Sequence, residues 1–272
     1  MPLASTGRGA HNMQFQLEGK VIAITGGAKG IGAAIARACA QECAVPVVID
    51  RDAQAGKEIE EELTRTGGKA KWISAELSES DQCGQAVETI IDKYGRIDGL
   101  VNNAGVNDRV GLEHGSPQEY VASLQRNLLH YYAMAHFCLP HLKKSCGPIV
   151  NIASKTAVTG QGGTSGYASA KGAILALTRE WAVELLPYGI RVNAIVPAEV
   201  MTPLYRQWLG SFPNPAEKLK TITSKIPLGQ RMTQAEEIAS VAVFLLSEKA
   251  GHVTGQHWYV DGGYVHLDRA VT

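Results

Sequence analysis

The segment KVIAITGGAKGIGAAIARACA, residues 20–40, joins a short run of branched apolar residues to a glycine-rich turn and then to a helix-like stretch. Gly26, Gly30 and Gly32 in this turn allow a tight reversal, close approach of the backbone to a phosphate, and close packing of helix on strand. The N-terminus of the following helix is suited to bind a pyrophosphate group. The spacing G-x3-G-x-G departs from the common G-x-G-x-x-G pattern of dinucleotide-binding turns.

Strand-like and helix-like segments alternate along the rest of the chain. The strand-like runs cover 20–25, 44–50, 70–75, 98–103, 147–154, 190–197 and 257–263. The helix-like stretches cover 30–42, 53–65, 80–94, 117–144, 165–186 and 234–247. This alternation predicts an α/β fold, with a parallel sheet that helices cover on both faces. Residues 203–230, rich in Pro and Gly, interrupt the alternation and are interpreted as a lid on the substrate side.

Length and charge favour one domain that binds a small molecule. The 272 residues, 45% of them hydrophobic, can bury a single core. We expect residues 17–272 to form this domain, and residues 1–16, which show no periodicity, to form a flexible extension. The 26 basic and 26 acidic residues give zero net charge, which disfavours nucleic acid and anionic membranes as partners.

Cysteine usage and hydropathy indicate a cytoplasmic protein. The five cysteines form no CxxC pair, so reduced thiols are the simplest interpretation. The cysteines and eight histidines show no metal-ligand spacing, and no metal site is predicted. No apolar run reaches the roughly 18 residues of a membrane span, and the N-terminus lacks the apolar core of a signal peptide.

An acidic residue follows the glycine turn at the distance expected of a ribose-binding group. Asp50 ends the second predicted strand, eighteen residues after Gly32, and is placed to accept hydrogen bonds from adenosine ribose hydroxyls. Its charge would repel a 2′-phosphate, which favours NAD over NADP. Lys29 and Arg51 could offset this repulsion, so NADP stays possible. Alternatively, Asp50 only terminates the strand.

Polar side chains also follow the fourth and fifth predicted strands, at the sheet edge where ligands of open parallel sheets bind. The fourth strand ends in NNAG, residues 102–105, and the fifth ends in Ser154. Tyr167 and Lys171 lie one helical turn apart in the next helix, so an ammonium can favour the phenolate and lower a phenol pKa that is ordinarily about 10. The pair is interpreted as an acid–base device, the alternative being a packed phenol beside a snorkelling amine.

These motifs, in this order and spacing, resemble those of the short-chain dehydrogenase/reductase family from about Leu17 to Asp268. They are TGGAKGIG, NNAG, a lone Asn127, Ser154, and YASAK with Tyr167 and Lys171. The resemblance implies a three-layer Rossmann fold with a seven-stranded parallel sheet and a nicotinamide cofactor. It also implies a homotetramer, with a dimer possible.

The resemblance implies four catalytic residues, Asn127, Ser154, Tyr167 and Lys171. Tyr167 would take the proton of a substrate hydroxyl while hydride leaves the same carbon for the nicotinamide ring. Ser154 would hold the substrate oxygen by a hydrogen bond. Lys171 would also bind the nicotinamide ribose, and Asn127 would hold a water that relays protons.

The cofactor contacts carry over position by position, with two departures from the family pattern. Glu76 stands where an Asp is usual, and Ala198 stands where a Gly usually follows Pro197. The predicted cofactor-binding residues are Gly26, Lys29, Gly30, Ile31, Gly32, Asp50, Arg51, Glu76, Leu77, Asn103, Ala104, Gly105, Tyr167, Lys171, Pro197, Val200 and Thr202.

The predicted substrate lining is rich in hydrogen-bonding groups, which suits a polyhydroxylated molecule better than a steroid or an acyl chain. Its members are Asn107, Arg109, Ser154, Lys155, Gln161, Thr164, Tyr167 and Glu199. Any single one of them could instead be a surface residue or a satisfied buried group.

Three local strings, residues 154–167, 196–205 and 261–270, look like those of bacterial L-fucose dehydrogenases within the family. This resemblance implies NAD-linked oxidation of an aldose such as L-fucose at C1 to its lactone. Two alternatives stay open. One is a dehydrogenase or reductase of another alcohol or ketone, and the other is a non-catalytic nicotinamide sensor.

Overall fold

A computed structural model describes residues 15–65 and 67–267. Nearly all of the predicted extension, residues 1–16, lies outside the described residues. Seven strands lie within them: β1 Val21–Thr25, β2 Val45–Ile49, β3 Lys71–Ile73, β4 Gly99–Asn102, β5 Ile149–Ile152, β6 Val192–Pro197 and β7 His257–Val260. The α-helices of this part are α1 Gly30–Gln41, α2 Ala53–Arg65, α3 Ser80–Tyr94, α4 Pro117–Leu124, α5 His130–Ser145, α6 Ser165–Glu184, α7 Pro203–Leu209, α8 Pro215–Thr223 and α9 Ala235–Leu246.

All seven strands are parallel and form one sheet in the order β3-β2-β1-β4-β5-β6-β7. The prediction of a seven-stranded Rossmann sheet is thereby confirmed. β1 pairs with β2 on one side and with β4 on the other. The connection after β1 therefore runs towards one edge of the sheet, and the connection after β4 runs towards the other. Open parallel sheets bind ligands at such a switch point, beyond the carboxyl ends of the strands.

Each face of the sheet carries its own hydrophobic core. Val21 and Ala23 of β1 pack in one core with side chains of α3, α5 and α6, and Ile22 and Ile24 pack in the other with α1, α2 and α9. Successive side chains of a strand point to opposite faces. A strand buried on both faces therefore has to be apolar at every position, which explains the uninterrupted branched runs of the sequence.

The structure differs from the predicted elements in two places. The stretch predicted as one helix over 117–144 is α4 and α5 joined by a π-helical turn, Gln125–Leu129. A π turn inserts one extra residue and so breaks the 3.6-residue period locally. Residues 203–230, predicted as a long connection, contain α7 and α8, which begin at Pro203 and Pro215 with capping side chains at Thr202 and Asn214.

Across the described ranges, the helices are all too short or too polar to cross a membrane. The five cysteines, all of which lie in these ranges, are free thiols.

Candidate active site

The glycine turn between β1 and α1 leaves no room for side chains at two of its positions. A Cβ on Gly32 would lie 2.2 Å from the carbonyl oxygen of Gly26, and a Cβ on Gly26, whose φ is +60°, would lie 2.8 Å from the Cα of Ala104. Asn103 Nδ2 donates to the carbonyl oxygens of Thr25 at 3.0 Å and Gly26 at 2.9 Å. The end of β4 therefore holds the turn, which opens α1 towards the carboxyl edge of the sheet.

The carboxylate of Asp50 lies directly beside this turn. It accepts hydrogen bonds from the backbone N–H of Ala28 at 3.1 Å and of Asp52 at 3.0 Å. Lys29 pairs with Asp52 at 2.5 Å and Arg51 pairs with Glu76 at 2.9 Å. Both cations that could offset the charge of Asp50 are thus paired with other carboxylates.

A cavity of about 430 Å³ runs along the carboxyl edge of the sheet. It brings together every predicted cofactor-binding residue except Gly32, which packs beneath the turn. The tight glycine turn, the acidic side chain at the end of β2 and this cavity fit a dinucleotide. Ala198, and Pro203, Leu204 and Tyr205 of the predicted lid, also line the cavity. The lining residues with no predicted role are Ala75, Ser78, Val106, Arg126, His130, Ile152 and Ala153.

Tyr167 and Lys171 both line this cavity from α6. Lys171 Nζ lies 5.6 Å from the centroid of the Tyr167 ring. It donates to the carbonyl oxygen of Ile152 at 2.8 Å and to the hydroxyl of Tyr131 at 3.0 Å. Tyr131, fully buried, is a partner that the sequence gives no signal for, because it lies forty residues from Lys171 on another helix.

The prediction that Lys171 lowers the pKa of the Tyr167 phenol is wrong. Burial raises the pKa of Tyr167 to about 12, although a hydrogen bond from Ser154 acts in the opposite direction. Burial lowers the pKa of Lys171 to about 7. Desolvation disfavours the charged form of both side chains, and the lysine is directed to Ile152 and Tyr131 rather than to the phenol oxygen.

Ser154 follows β5 and has its hydroxyl proton available for the cavity. Its Oγ accepts from the backbone N–H of Thr156 at 3.2 Å and from Thr156 Oγ1 at 3.0 Å. Since both acceptor positions of the oxygen are used, the single O–H can donate to Tyr167 or to a substrate oxygen. Thr156 thus orients the hydroxyl of Ser154, a role that sequence inspection missed.

Asn127 lies in the π turn between α4 and α5 and is fully buried. Its Oδ1 accepts from the backbone N–H of Val106 at 2.7 Å, and its Nδ2 donates to the carbonyl oxygen of Ser123 at 3.1 Å. A Cβ on Gly105 would lie 3.1 Å from that Oδ1. The amide therefore fixes the loop after β4 beside the cavity, and its role in holding a water stays a prediction.

The predicted substrate residues divide into two groups in the structure. Asn107, Ser154 and Tyr167 line the cavity, whereas the other five are not among the described residues of its lining. Of these five, Arg109 and Gln161 are exposed and Thr164 is buried at the start of α6. Lys155 and Glu199 form a buried ion pair with each other.

The low pKa of Lys171 predicts a pH-dependent stability. Its pKa is about 7 in the folded chain against an ordinary value of 10.5, so the unfolded chain binds more protons between these values and the free energy of unfolding rises with pH. Relative to Lys171→Met, the wild type should gain up to about 1.4 kcal/mol per pH unit between pH 7.5 and 8.5. Urea unfolding of both proteins measures this. If the free energy of unfolding of the two proteins changed in parallel with pH, the buried Lys171 would keep its proton and its pKa would not be lowered.

The fold and the site together define a dinucleotide-binding oxidoreductase. A family model described as enoyl-(acyl carrier protein) reductase, one of the short-chain dehydrogenase models, matches residues 26–265. The chain therefore belongs to the short-chain dehydrogenase/reductase family. It is an NAD(P)-dependent oxidoreductase that acts on CH–OH groups.

Individual relatives cover most of the chain. It is 38% identical to the L-fucose dehydrogenase of Bos taurus over 92% of its length and 91% of that protein. It is 36% identical to the 3-oxoacyl-acyl-carrier-protein reductase FabG of Thermotoga maritima over 92% of its length and 100% of that protein. The crystal structure of Cj0485 dehydrogenase superposes with a TM-score of 0.90 at 49% identity, covering 95% of this chain and 98% of the other.

Proposed function

We propose that the protein oxidises an aldose such as L-fucose at C1 to its lactone, with NAD as the hydride acceptor. The observation that carries the chemistry is the meeting of Ser154, Tyr167 and Lys171 on one cavity, together with the glycine turn. The sugar is supported by the 38% identity to an L-fucose dehydrogenase over nearly the whole chain.

In the proposed reaction, Ser154 donates its free hydroxyl proton to the C1 oxygen of the sugar and so positions it against Tyr167. A bound NAD supplies the acceptor for the hydride that leaves C1. Tyr167 takes the proton of the C1 hydroxyl, and since burial holds its pKa near 12, this transfer requires a base that withdraws the phenol proton in turn. Lys171, whose pKa is about 7, can be neutral at physiological pH and can accept a proton. Because its Nζ is directed to Ile152 and Tyr131 and not to the phenol, a bridging water would have to relay the proton from Tyr167 to it.

The remaining cofactor residues would position the dinucleotide. The backbone of Gly26 and Gly30 would hold the pyrophosphate at the start of α1. Asp50 would accept from the ribose hydroxyls. Lys29 and Arg51 are paired with Asp52 and Glu76 rather than with Asp50, so the carboxylate of Asp50 would still repel a 2′-phosphate, which supports NAD over NADP.

Asp50→Ala should reduce the preference for NAD. The ratio of kcat/KM with NAD to kcat/KM with NADP should fall by about tenfold or more, because one unfavourable charge interaction and one ribose hydrogen bond are removed. Glu61→Ala, which removes an exposed carboxylate of α2, serves as the matched control and should leave the ratio unchanged. An unchanged ratio in Asp50→Ala would show that this carboxylate does not discriminate the two nucleotides.

Formation of reduced cofactor by purified protein tests the substrate. L-fucose, D-arabinose, L-galactose and cyclopentanol would each be supplied with NAD and with NADP. The proposal expects rapid NAD-linked turnover of L-fucose, with slow turnover of cyclopentanol. Rapid turnover of cyclopentanol without turnover of any sugar would contradict it.

A second candidate function is the reduction of a ketone such as an acyl or keto-sugar intermediate. The 36% identity to a 3-oxoacyl reductase favours it. The same residues would run in the opposite direction, with Tyr167 giving its proton to the carbonyl oxygen. Strong NADPH preference with little oxidative turnover would identify this function.

We also propose that residues 203–230 act as a lid and that the protein is a cytoplasmic homotetramer. Pro203, Leu204 and Tyr205 of this segment line the cavity, which supports the lid. Exposed apolar side chains on and beside α5 and α6, including Leu129, Tyr132 and Val183, support assembly through these helices. The free thiols of the cysteines support the cytoplasmic location.

A further inference from the structure

The residue that follows Ser154 forms a largely buried ion pair. Lys155 Nζ forms a short contact with Glu199 Oε1, and the two side chains are only 10% and 13% exposed. The same ammonium lies 4.2 Å from the centroid of the Tyr264 ring. Since breaking a buried pair leaves an uncompensated charge, neither side chain is placed to turn to a substrate hydroxyl.

The second oxygen of Glu199 holds a tyrosine that, unlike Glu199 and Lys155, lines the cavity. Tyr205, in α7, donates its hydroxyl proton to Glu199 Oε2 at 2.7 Å and lines the same cavity as Ser154 and Tyr167. A phenol has one proton to donate. With that proton committed to Glu199, the oxygen of Tyr205 has only lone pairs to offer, and a donor bound to a carboxylate becomes a better acceptor itself.

We propose that Tyr205 determines substrate specificity by accepting a hydrogen bond from a hydroxyl of the substrate other than the one that is oxidised. Glu199 and Lys155 are positioning residues that fix the direction of the Tyr205 hydroxyl. The inference rests on the proposed function, because it assigns the tyrosine to a polyhydroxylated substrate. An acyl chain or a simple ketone has no donor for this oxygen, and a site with an unmatched acceptor disfavours it.

Two further contacts support a fixed orientation. Burial and the charge of Glu199 raise the pKa of Tyr205 well above its ordinary value, so the phenol keeps its proton for the carboxylate. The backbone of Glu199 is held as well, because its carbonyl oxygen accepts from the N–H of Thr233 at 2.9 Å. The carboxylate thus connects the loop after β5, the loop after β6 and the first helix of the lid.

Steady-state kinetics of Tyr205→Phe test the proposal. The kcat/KM for L-fucose should fall about tenfold to a hundredfold, as expected for one lost hydrogen bond inside a site. The kcat/KM for cyclopentanol and the KM for NAD should each stay within about twofold. Tyr188→Phe removes a hydroxyl from a tyrosine on the protein surface and serves as the matched control, for which L-fucose kinetics should not change.

Deoxy analogues of L-fucose identify the hydroxyl that is read. With wild type, one of the 2-, 3- and 4-deoxy sugars should have a kcat/KM about as low as that of L-fucose with Tyr205→Phe. The kcat/KM of this deoxy sugar should fall little further with Tyr205→Phe, because the sugar and the variant each remove the same hydrogen bond. Glu199→Gln should show the same selective loss on L-fucose as Tyr205→Phe; because the amide leaves Lys155 without its anionic partner, urea unfolding of this variant is compared with wild type first.

The outcomes separate the two proposals. The role of Tyr205 would be overturned, with sugar oxidation left intact, by either of two results. One is an equal loss of kcat/KM for L-fucose and cyclopentanol in Tyr205→Phe. The other is that, for every deoxy sugar, the effects of the missing hydroxyl and of the substitution on kcat/KM are additive. Turnover of cyclopentanol but of no sugar by wild type would overturn both. Selective loss on L-fucose with one non-additive deoxy sugar supports the inference.

Discussion

Tyr167→Phe should reduce kcat for the oxidation of the substrate by about 10³-fold or more, a much larger effect than on the dissociation constant for NADH. The phenol supplies the only oxygen that the proposed reaction uses to accept the substrate proton, and losing a positioned general base costs up to about 10⁴-fold. The phenyl ring keeps its packing on α6, so the cavity should persist. Stopped-flow turnover and fluorescence titration with NADH measure the two quantities separately.

Two tyrosines on α5 serve as controls for this result. Tyr132→Phe changes an exposed side chain and should have no effect on turnover. Tyr131→Phe removes the hydroxyl that receives a hydrogen bond from Lys171, and should reduce kcat less than Tyr167→Phe does. Turnover of Tyr167→Phe within tenfold of wild type would show that the phenol is not the base.

Gly32→Ala should raise the dissociation constant for NADH about a hundredfold, which corresponds to about 2.7 kcal/mol. The added methyl would lie 2.2 Å from the carbonyl oxygen of Gly26 and 2.6 Å from Asn103 Nδ2. Neither atom is the end of a flexible side chain that can move aside freely, because Asn103 Nδ2 is bonded to Thr25 and Gly26. The turn that would receive the pyrophosphate therefore has to shift.

Gly160→Ala is the matched control, because a methyl there meets nothing within 4 Å. It should bind NADH like wild type. Circular dichroism and urea unfolding show whether Gly32→Ala still folds, so that weaker binding can be separated from global unfolding. Wild-type affinity in a folded Gly32→Ala protein would contradict the assignment of the turn to the pyrophosphate.

Much of the fold and part of the site follow from local sequence. The strand that runs into the glycine turn, the position of Asp50 at the end of β2, and the spacing of Tyr167 and Lys171 depend on neighbours within one element or one connection. Apolar runs without alternation indicate strands covered on both faces. These features therefore follow from period and spacing alone, and the structure confirms the sheet they predict.

The features that sequence inspection missed depend on pairs of residues far apart in the chain. Lys171 meets Tyr131 across forty positions, and Lys155 meets Glu199 across forty-four. No local pattern reports such contacts. The raised pKa of Tyr167 and the lowered pKa of Lys171 also have no local signal in the sequence. Both shifts come mainly from burial, and burial is a property of the whole fold.

Oxidation of L-fucose that carries deuterium at C1, with NAD as the acceptor, tests directly whether hydride leaves C1 of the sugar. We expect the deuterium to appear in the reduced nicotinamide, a lactone to be formed, and kcat/KM for the labelled sugar to be lower than for unlabelled L-fucose. Reduced cofactor without deuterium, or no reduced cofactor at all, would contradict hydride transfer from C1 of the sugar.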